Sequence, residues 1–186
     1  MTHFTPERRG LGMARLVVVG LLVLGLVSIS GITRAQEPYV GVSLGGTILS
    51  GTLSVPIGGH IGVNDVMAGL AGFGIRGDVA YNLTYRDFEV GISAILSLDE
   101  MLAQAGDVSL YAGAGAKILV GGSGPQFAAL RAANPALART LFGLGLLFGG
   151  EFPIDEQFSV FVEGFGNFYF GAMNRLGIGA GVRFRL

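Results

Sequence analysis

Apolar residues recur at every second position along most of the chain beyond residue 36. The pattern is cleanest at the end, where Leu176, Ile178, Ala180, Val182, Phe184 and Leu186 alternate with Gly177, Gly179, Gly181, Arg183 and Arg185 without exception. A period of two is that of a β-strand with one apolar face and one small or charged face. Seven earlier segments repeat it: Val40 to Leu44, Leu53 to Ile57, Phe73 to Tyr81, Phe88 to Ala94, Val108 to Ile118, Leu144 to Phe152, and Val160 to Val162. Pro56 interrupts the second of them, which is the weakest because proline donates no ladder hydrogen bond. The pattern therefore predicts eight strands and an all-β fold.

Turn residues separate these segments. Asn82 to Asp87 and Pro153 to Gln157 read as tight turns, whereas the stretch from Gly121 to Thr140 is long and opens with Gly-Gly-Ser-Gly-Pro. Phe127 to Ala138 has the Ala, Leu and Arg content of a helix around Pro135, and a second short helix is expected over Asp99 to Ala105. Short turns at one end of the sheet and long loops at the other are expected of a barrel. Counting strands back from the C-terminus, however, puts the short Asn82 turn at the opposite end, on the long-loop side.

The first 35 residues follow a different logic. Arg8, Arg9 and Arg15 precede an apolar run from Leu16 to Ile32, and Thr33-Arg34-Ala35 follows. A positive start, an apolar middle and a small-residue exit make an export signal, with cleavage expected after Ala35. The run is near the short limit for a membrane-spanning helix, so an uncleaved anchor is the competing reading. Met13-Ala14-Arg15-Leu16 would by itself begin a compact signal, which makes Met13 a candidate start. The Arg8-Arg9 pair lies too far from the apolar run for a twin-arginine signal. Two segments result: a signal peptide over 1–35 and a β-domain over 36–186. Beyond Ala35 no stretch reaches 18 apolar residues, so no further membrane helix is expected.

Composition decides which way the strands face. Charged residues are 13% of the chain, against about 25% in an ordinary soluble domain, while hydrophobic residues are 51%. Arg76, Asp78, Glu89, Lys117, Glu151, Glu163, Arg183 and Arg185 all share a face with glycine, alanine and serine, opposite the Val, Leu, Ile and Phe positions. A soluble lipocalin-like carrier would turn this face outward, but a surface so poor in Lys and Glu suits water badly. It suits the narrow interior of an eight-stranded barrel. Tyr81, Tyr85 and Phe88 near one turn, and Phe152 and Phe158 near another, are expected to form interfacial aromatic girdles. Four basic and four acidic interior groups can pair across the bore and hold it closed.

The terminal strand, Leu176 to Leu186, resembles the C-terminal signal strand of bacterial outer-membrane β-barrels, although Leu186 stands where that family usually has Phe. Over Glu37 to Leu186 the chain is similar to the small outer-membrane barrel superfamily that includes the OmpX-like proteins and the OmpA transmembrane domain. The resemblance implies an eight-stranded antiparallel transmembrane barrel, exported through the Sec pathway, inserted by the barrel-assembly machinery and surrounded by outer-membrane lipid as a monomer. It does not extend to the periplasmic peptidoglycan-binding domain of full OmpA proteins.

Candidate chemistry is sparse. A net charge of −1 gives no sign of a nucleic-acid partner, and the chain has no cysteine. No metal-ligand cluster and no cofactor motif is present in the sequence. His60 lies in a Gly-rich segment, read as a loop, with Asp65 near it and Ser50 and Ser54 upstream. A lipid-modifying or ligand-binding barrel would use that loop, whereas a lone loop histidine is ordinarily a surface residue. Glu151 and Glu163 also read as an acid/base pair, but interior carboxylates with Arg and Lys to neutralise them are better taken as structural. The sequence therefore points to a structural, interaction or narrow-pore barrel without catalytic residues.

Overall fold

The computed structural model describes residues 37–49, 51–67, 72–99, 108–122, 125–133, 135, 140–170 and 173–186. The expected signal segment 1–35, its cleavage point, Ser50 and most of the expected helix over Asp99 to Ala105 lie outside them. The strands are β1 (Glu37–Leu49), β2 (Thr52–Ser54), β3 (Pro56–Asn64), β4 (Phe73–Asn82), β5 (Asp87–Ser97), β6 (Ser109–Val120), β7 (Thr140–Pro153), β8 (Phe158–Tyr169) and β9 (Met173–Arg185). One helix, α1 (Pro125–Ala133), stands between β6 and β7. It begins two residues ahead of the expected Phe127 and ends before Pro135, which cannot continue a helix.

β2 and β3 are two pieces of one stave. They pair with β1 in the same register on either side of a short gap at Val55 and Pro56. Each stave is antiparallel to the next, and β9 pairs back onto β1, so the sheet has no free edge. Even Leu186 takes part, donating its N–H to the Pro38 carbonyl at 2.9 Å. The result is a closed eight-stave barrel. Following paired residues once round, from Pro38 through Val63, Ile75, Ala94, Ala114, Leu146, Gly166 and Leu176, returns to Ile48, ten residues further along β1. That stagger tilts the strands by roughly 40° to the barrel axis.

The apolar faces point outward. On β7, Phe142, Leu144, Leu146 and Phe148 are 54–60% exposed, whereas Leu141, Leu147 and Glu151 on the opposite face are at most 8% exposed. The soluble lipocalin-like arrangement requires the reverse. From Phe142 to Phe152 there are ten residue steps. At ~3.3 Å per step and that tilt, they cover about 25 Å along the axis, the height of the lipid-facing band of an outer-membrane barrel. Outward aromatics mark both ends of the band: Phe152, Phe158 and Phe184 at the end where β1 begins, and Tyr81, Phe142, Phe168 and Phe170 at the far end. Tyr85 does not belong to this girdle. It is fully buried and packs with Leu49, Leu119, Phe127, Leu141 and Tyr169 across the far mouth.

Three further expectations need correction. The second stave does not stop at Ile57 but runs to Asn64, because Gly58, His60 and Gly62 face inward between Ile57, Gly59, Ile61 and Val63. β8 likewise extends beyond Glu163 to Tyr169. Connection lengths are not sorted by end. The end where β1 begins, the first-strand end, carries connections 65–72, 98–108 and 154–157, and the far end carries 50–51, 83–86, 121–139 and 170–172. The Asn82 turn thus shares the far end with the longest connection.

Candidate functional site: the ion-paired barrel interior

Inward positions hold large side chains and glycines in a complementary arrangement. Eight large inward residues sit directly across from a glycine on the next strand: Tyr39 from Gly62, His60 from Gly41, Ile95 from Gly113, Lys117 from Gly91, Tyr111 from Gly149, Tyr169 from Gly143, Phe165 from Gly177 and Phe161 from Gly181. A methyl group at Gly41 would lie 2.3 Å from His60 Nε2, and one at Gly181 would lie 2.0 Å from the Val42 carbonyl oxygen. The glycines are therefore the space into which the large residues lie, as in sheets where an aromatic side chain covers a cross-strand glycine.

Of the eight charges expected in the interior, seven have side chains at most 17% exposed, while Arg185, 41% exposed, stands at the mouth; each of the eight is in an ion pair. In the middle of the bore Arg76 donates two hydrogen bonds to Glu163, at 2.8 and 3.3 Å, and its Nε stands 2.8 Å from Asp78 at ion-pair distance without hydrogen-bond alignment. Lys117 donates to the other Asp78 oxygen at 3.1 Å, Tyr111 donates to Glu163 at 3.1 Å, and Ser93 donates to Asp78 at 3.4 Å. Towards the first-strand end, Arg183 pairs with Glu151, which also accepts from Ser159 at 2.6 Å and faces Arg185 at 3.6 Å. The Arg183 guanidinium lies over the Tyr39 ring at 4.4 Å, with Tyr111 and Phe161 at 5.2 and 5.3 Å.

A third tier lies at the far end, and of its charges the sequence reading includes only Glu89. Arg175 pairs with Asp87 through both terminal nitrogens and approaches Glu89 at 3.8 Å. Glu89 also accepts from Asn167 at 2.9 Å and from the Tyr169 hydroxyl. Asp87 reads in sequence as part of a turn, and Arg175 lies one position before the apolar run of the last strand. Parity is the signal available for both. Asp87 shares the face of Glu89, and Arg175 the face of Gly177 and Arg183.

With these two added, the interior holds five acidic groups (Asp78, Asp87, Glu89, Glu151, Glu163) and five basic groups (Arg76, Lys117, Arg175, Arg183, Arg185). Charge balance matters because an unpaired ion in such a place is strongly unfavourable, while a paired and hydrogen-bonded one is tolerated. The side chains divide the bore. A recess of about 370 Å³ at the first-strand end is lined by Glu37, Tyr39, Asn64, Asp99, Glu151 and Arg185, among others. Cavities of about 80 and 40 Å³ lie deeper. Beyond them, Thr47, Ser54 and Asn82 are linked at 2.6 and 2.9 Å, and Phe127 of α1 closes the far mouth with Tyr85 and Tyr169.

His60 is not a loop residue. It lies on β3 inside the barrel, 7% exposed, edge-on to Tyr39 and Phe161, and its Nε2 faces the Arg183 Nε at 3.5 Å. Ser54 is buried in the far hydrogen-bonded group and Asp65 caps the β3–β4 connection by accepting the Gly72 N–H at 2.7 Å, so neither is brought together with His60. Glu151 and Glu163 sit in separate tiers, each held by its own arginine, and do not form an acid/base couple. Among the described residues no group of His, Asp and Glu is arranged to hold a metal. The terminal-strand residues Leu176, Ile178 and Phe184 face outward, and Leu186 is exposed.

An outward apolar band around an inward, paired ladder of charges on eight closed staves is the inverse of a soluble barrel. Its fold is that of the small outer-membrane β-barrels. The barrel superposes on Neisserial surface protein A with a TM-score of 0.54 at 16% identity, covering 82% of this chain and 98% of that one. It is similar to the N-terminal barrel domain of Pseudomonas aeruginosa OprF (TM-score 0.51, 14% identity, 80% and 97% covered). A major outer membrane protein from Thermus thermophilus matches to the same degree (TM-score 0.51, 13% identity, 80% and 99% covered). The sequence matches no protein-family model and no curated protein.

Proposed function

We propose that this chain is a closed outer-membrane barrel with a structural or interaction role, working as a monomer in outer-membrane lipid and not as an open pore. The observation that carries the reading is the ladder itself. Ten charged groups are paired within a bore that eight staves make only wide enough for side chains to fill, which supports a closed barrel over a through-channel. On this reading residues 1–35 direct export through the Sec pathway, and the terminal strand is what the barrel-assembly machinery engages. The reading assigns no cofactor and no chemistry to His60, which lies inside the wall against a guanidinium.

Two measurements test it. Extraction of the protein from cells should require detergent, and release by salt or alkaline buffer alone would contradict a membrane barrel. In planar bilayers the purified protein should give no stable steps of porin size. Such steps would show that the ladder does not block the bore.

A further inference from the structure

The recess at the first-strand end carries charges of both signs, and they are not all matched. Its lining includes four carboxylates, Glu37, Asp65, Asp99 and Glu151, and two guanidinium groups, Arg183 and Arg185. Arg183 and Glu151 pair with each other as the outermost rung of the ladder. Among the described residues Glu37, Asp65 and Asp99 are in no ion pair. Arg185 is 41% exposed and stands 3.6 Å from the Glu151 carboxylate, beyond hydrogen-bond reach, so its fork of N–H donors remains available.

Two of the acids are fixed in place by the backbone. Asp65 adopts a φ of 54°, and its Oδ1 accepts the Gly72 N–H at 2.7 Å. The Oδ1 of Asp99 accepts the Leu110 N–H at 2.8 Å. Each keeps its other carboxylate oxygen for a further donor. Tyr39 lines the same recess from β1, directly across the ladder from Arg185. It is 2% exposed, with the Arg183 guanidinium over its ring and its hydroxyl lying across Gly62. That hydroxyl has no hydrogen-bond partner among the described residues, although buried hydroxyls are ordinarily satisfied, so it is a polar group left to whatever the recess holds.

We infer that the recess binds a small basic α-amino acid, with its carboxylate on Arg185 and the Tyr39 hydroxyl and its two ammonium groups on Glu37, Asp65 and Asp99. A guanidinium fork matches a carboxylate, and an ammonium is a compact donor that any of the remaining carboxylate oxygens can accept. Three unpaired carboxylates against one available guanidinium select a ligand with more ammonium groups than carboxylates and repel an acidic one. The recess, at about 370 Å³, has the size of a small-molecule site. The inference extends the interaction role proposed above and rests on the closed barrel, because a blind recess retains a ligand that an open bore would pass on.

The test is equilibrium dialysis of the purified protein, in phosphatidylcholine nanodiscs, against radiolabelled L-lysine, with empty nanodiscs subtracted. Lysine should bind saturably, one per barrel. Cadaverine, which is lysine without its carboxylate, and ε-N-acetyl-lysine, which lacks the second ammonium, should each compete about tenfold less well, the effect of losing one hydrogen bond to a charged group. Glutamate should not compete. Arg185→Gln should erase the advantage of lysine over cadaverine. Asp65→Asn/Asp99→Asn, which keep the Oδ1 bonds to Gly72 and Leu110, should weaken lysine by about tenfold or more. Tyr39→Phe removes only the buried hydroxyl and should weaken it by about fivefold. Asp155→Asn/Glu156→Gln, at the same end but outside the recess lining, should change nothing. If that last pair weakens lysine as much as the Asp65 and Asp99 pair does, or if cadaverine competes as well as lysine, the binding is diffuse attraction to an acidic mouth and the inference is overturned. No saturable lysine binding in a barrel that gives no porin-sized steps sinks this inference alone, whereas such steps sink the closed-barrel reading and the blind recess with it.

Discussion

Arg76 offers the sharpest test of the ladder as a structural element. Its side chain is 3% exposed and serves two carboxylates, Glu163 through a two-pronged contact and Asp78 through Nε. Arg76→Met would affect them unequally. Asp78 keeps Lys117 at 3.1 Å and Ser93, whereas Glu163 keeps only the Tyr111 hydroxyl and becomes an uncompensated buried charge. Breaking a buried pair from one side costs ~3–5 kcal/mol, chiefly through the stranded partner. Glu163→Met is milder, because Arg76 retains Asp78, and should cost ~2 kcal/mol with part of that from the Tyr111 hydroxyl left without its acceptor.

Replacing both partners removes both charges, so Arg76→Met/Glu163→Met should cost no more than Glu163→Met alone. The cycle then gives a coupling of ~3 kcal/mol or more. The chain has no Trp, so unfolding by guanidinium after refolding into lipid vesicles is best followed by far-UV circular dichroism. Additive single variants, or an Arg76→Met cost below about 1 kcal/mol, would mean that water reaches Glu163 and that the ladder is solvated instead of closed.

The other expected outcomes concern different parts of the barrel. Glu151→Gln removes the one described carboxylate that faces both Arg183 and Arg185, so it should destabilise by ~2–4 kcal/mol in the same unfolding assay, more than Glu163→Gln. Gly181→Ala drives a methyl group against the Val42 carbonyl and should cost ~1–3 kcal/mol, while Gly164→Ala, whose nearest neighbour is 3.9 Å away, should be within about 0.5 kcal/mol of the parent. Deleting Phe184 to Leu186 removes the Val40–Phe184 and Phe158–Phe184 pairings and the Leu186 N–H bond to Pro38; cell fractionation should then find the protein in periplasmic aggregates or degraded. Intact-mass analysis of membrane-extracted protein should place Gln36 first.

Much of this architecture can be read from period alone, because a stave with an apolar outer face and a packed bore on the other side repeats every second residue. The count of eight, the outward faces, the inward charges and the helix around Phe127 all follow from that rule and from local composition. Period fails where side chains vanish. Between Ile57 and Asn64 the outward position Gly59 and the inward positions Gly58 and Gly62 leave no contrast between the faces, so a barrel stave looks like a glycine-rich loop and His60 like a loop histidine. Tyr85 misleads for another reason. Nearness to a turn suggests a girdle, but the Asn82 cap bends the chain so that this ring points down the bore, closing it, and the next residue points out.

What period cannot show is register, and in a barrel this narrow register carries the core. A strand read by itself gives a row of inward glycines broken by an occasional Tyr, Phe, Lys or Arg, which looks like weak packing. Aligned as the staves are here, eight of the large inward residues face a glycine across the ladder, so the glycines of one strand are the sockets for the next. A one-residue slip would turn those side chains out of the bore and the charges onto the outer apolar face, which ties the ion pairs and the glycine sockets to a single closure of the sheet. The inward glycines are then a condition for the ladder: without them the bore could not hold ten charged side chains and their aromatic neighbours, and with them it has little room left for anything else.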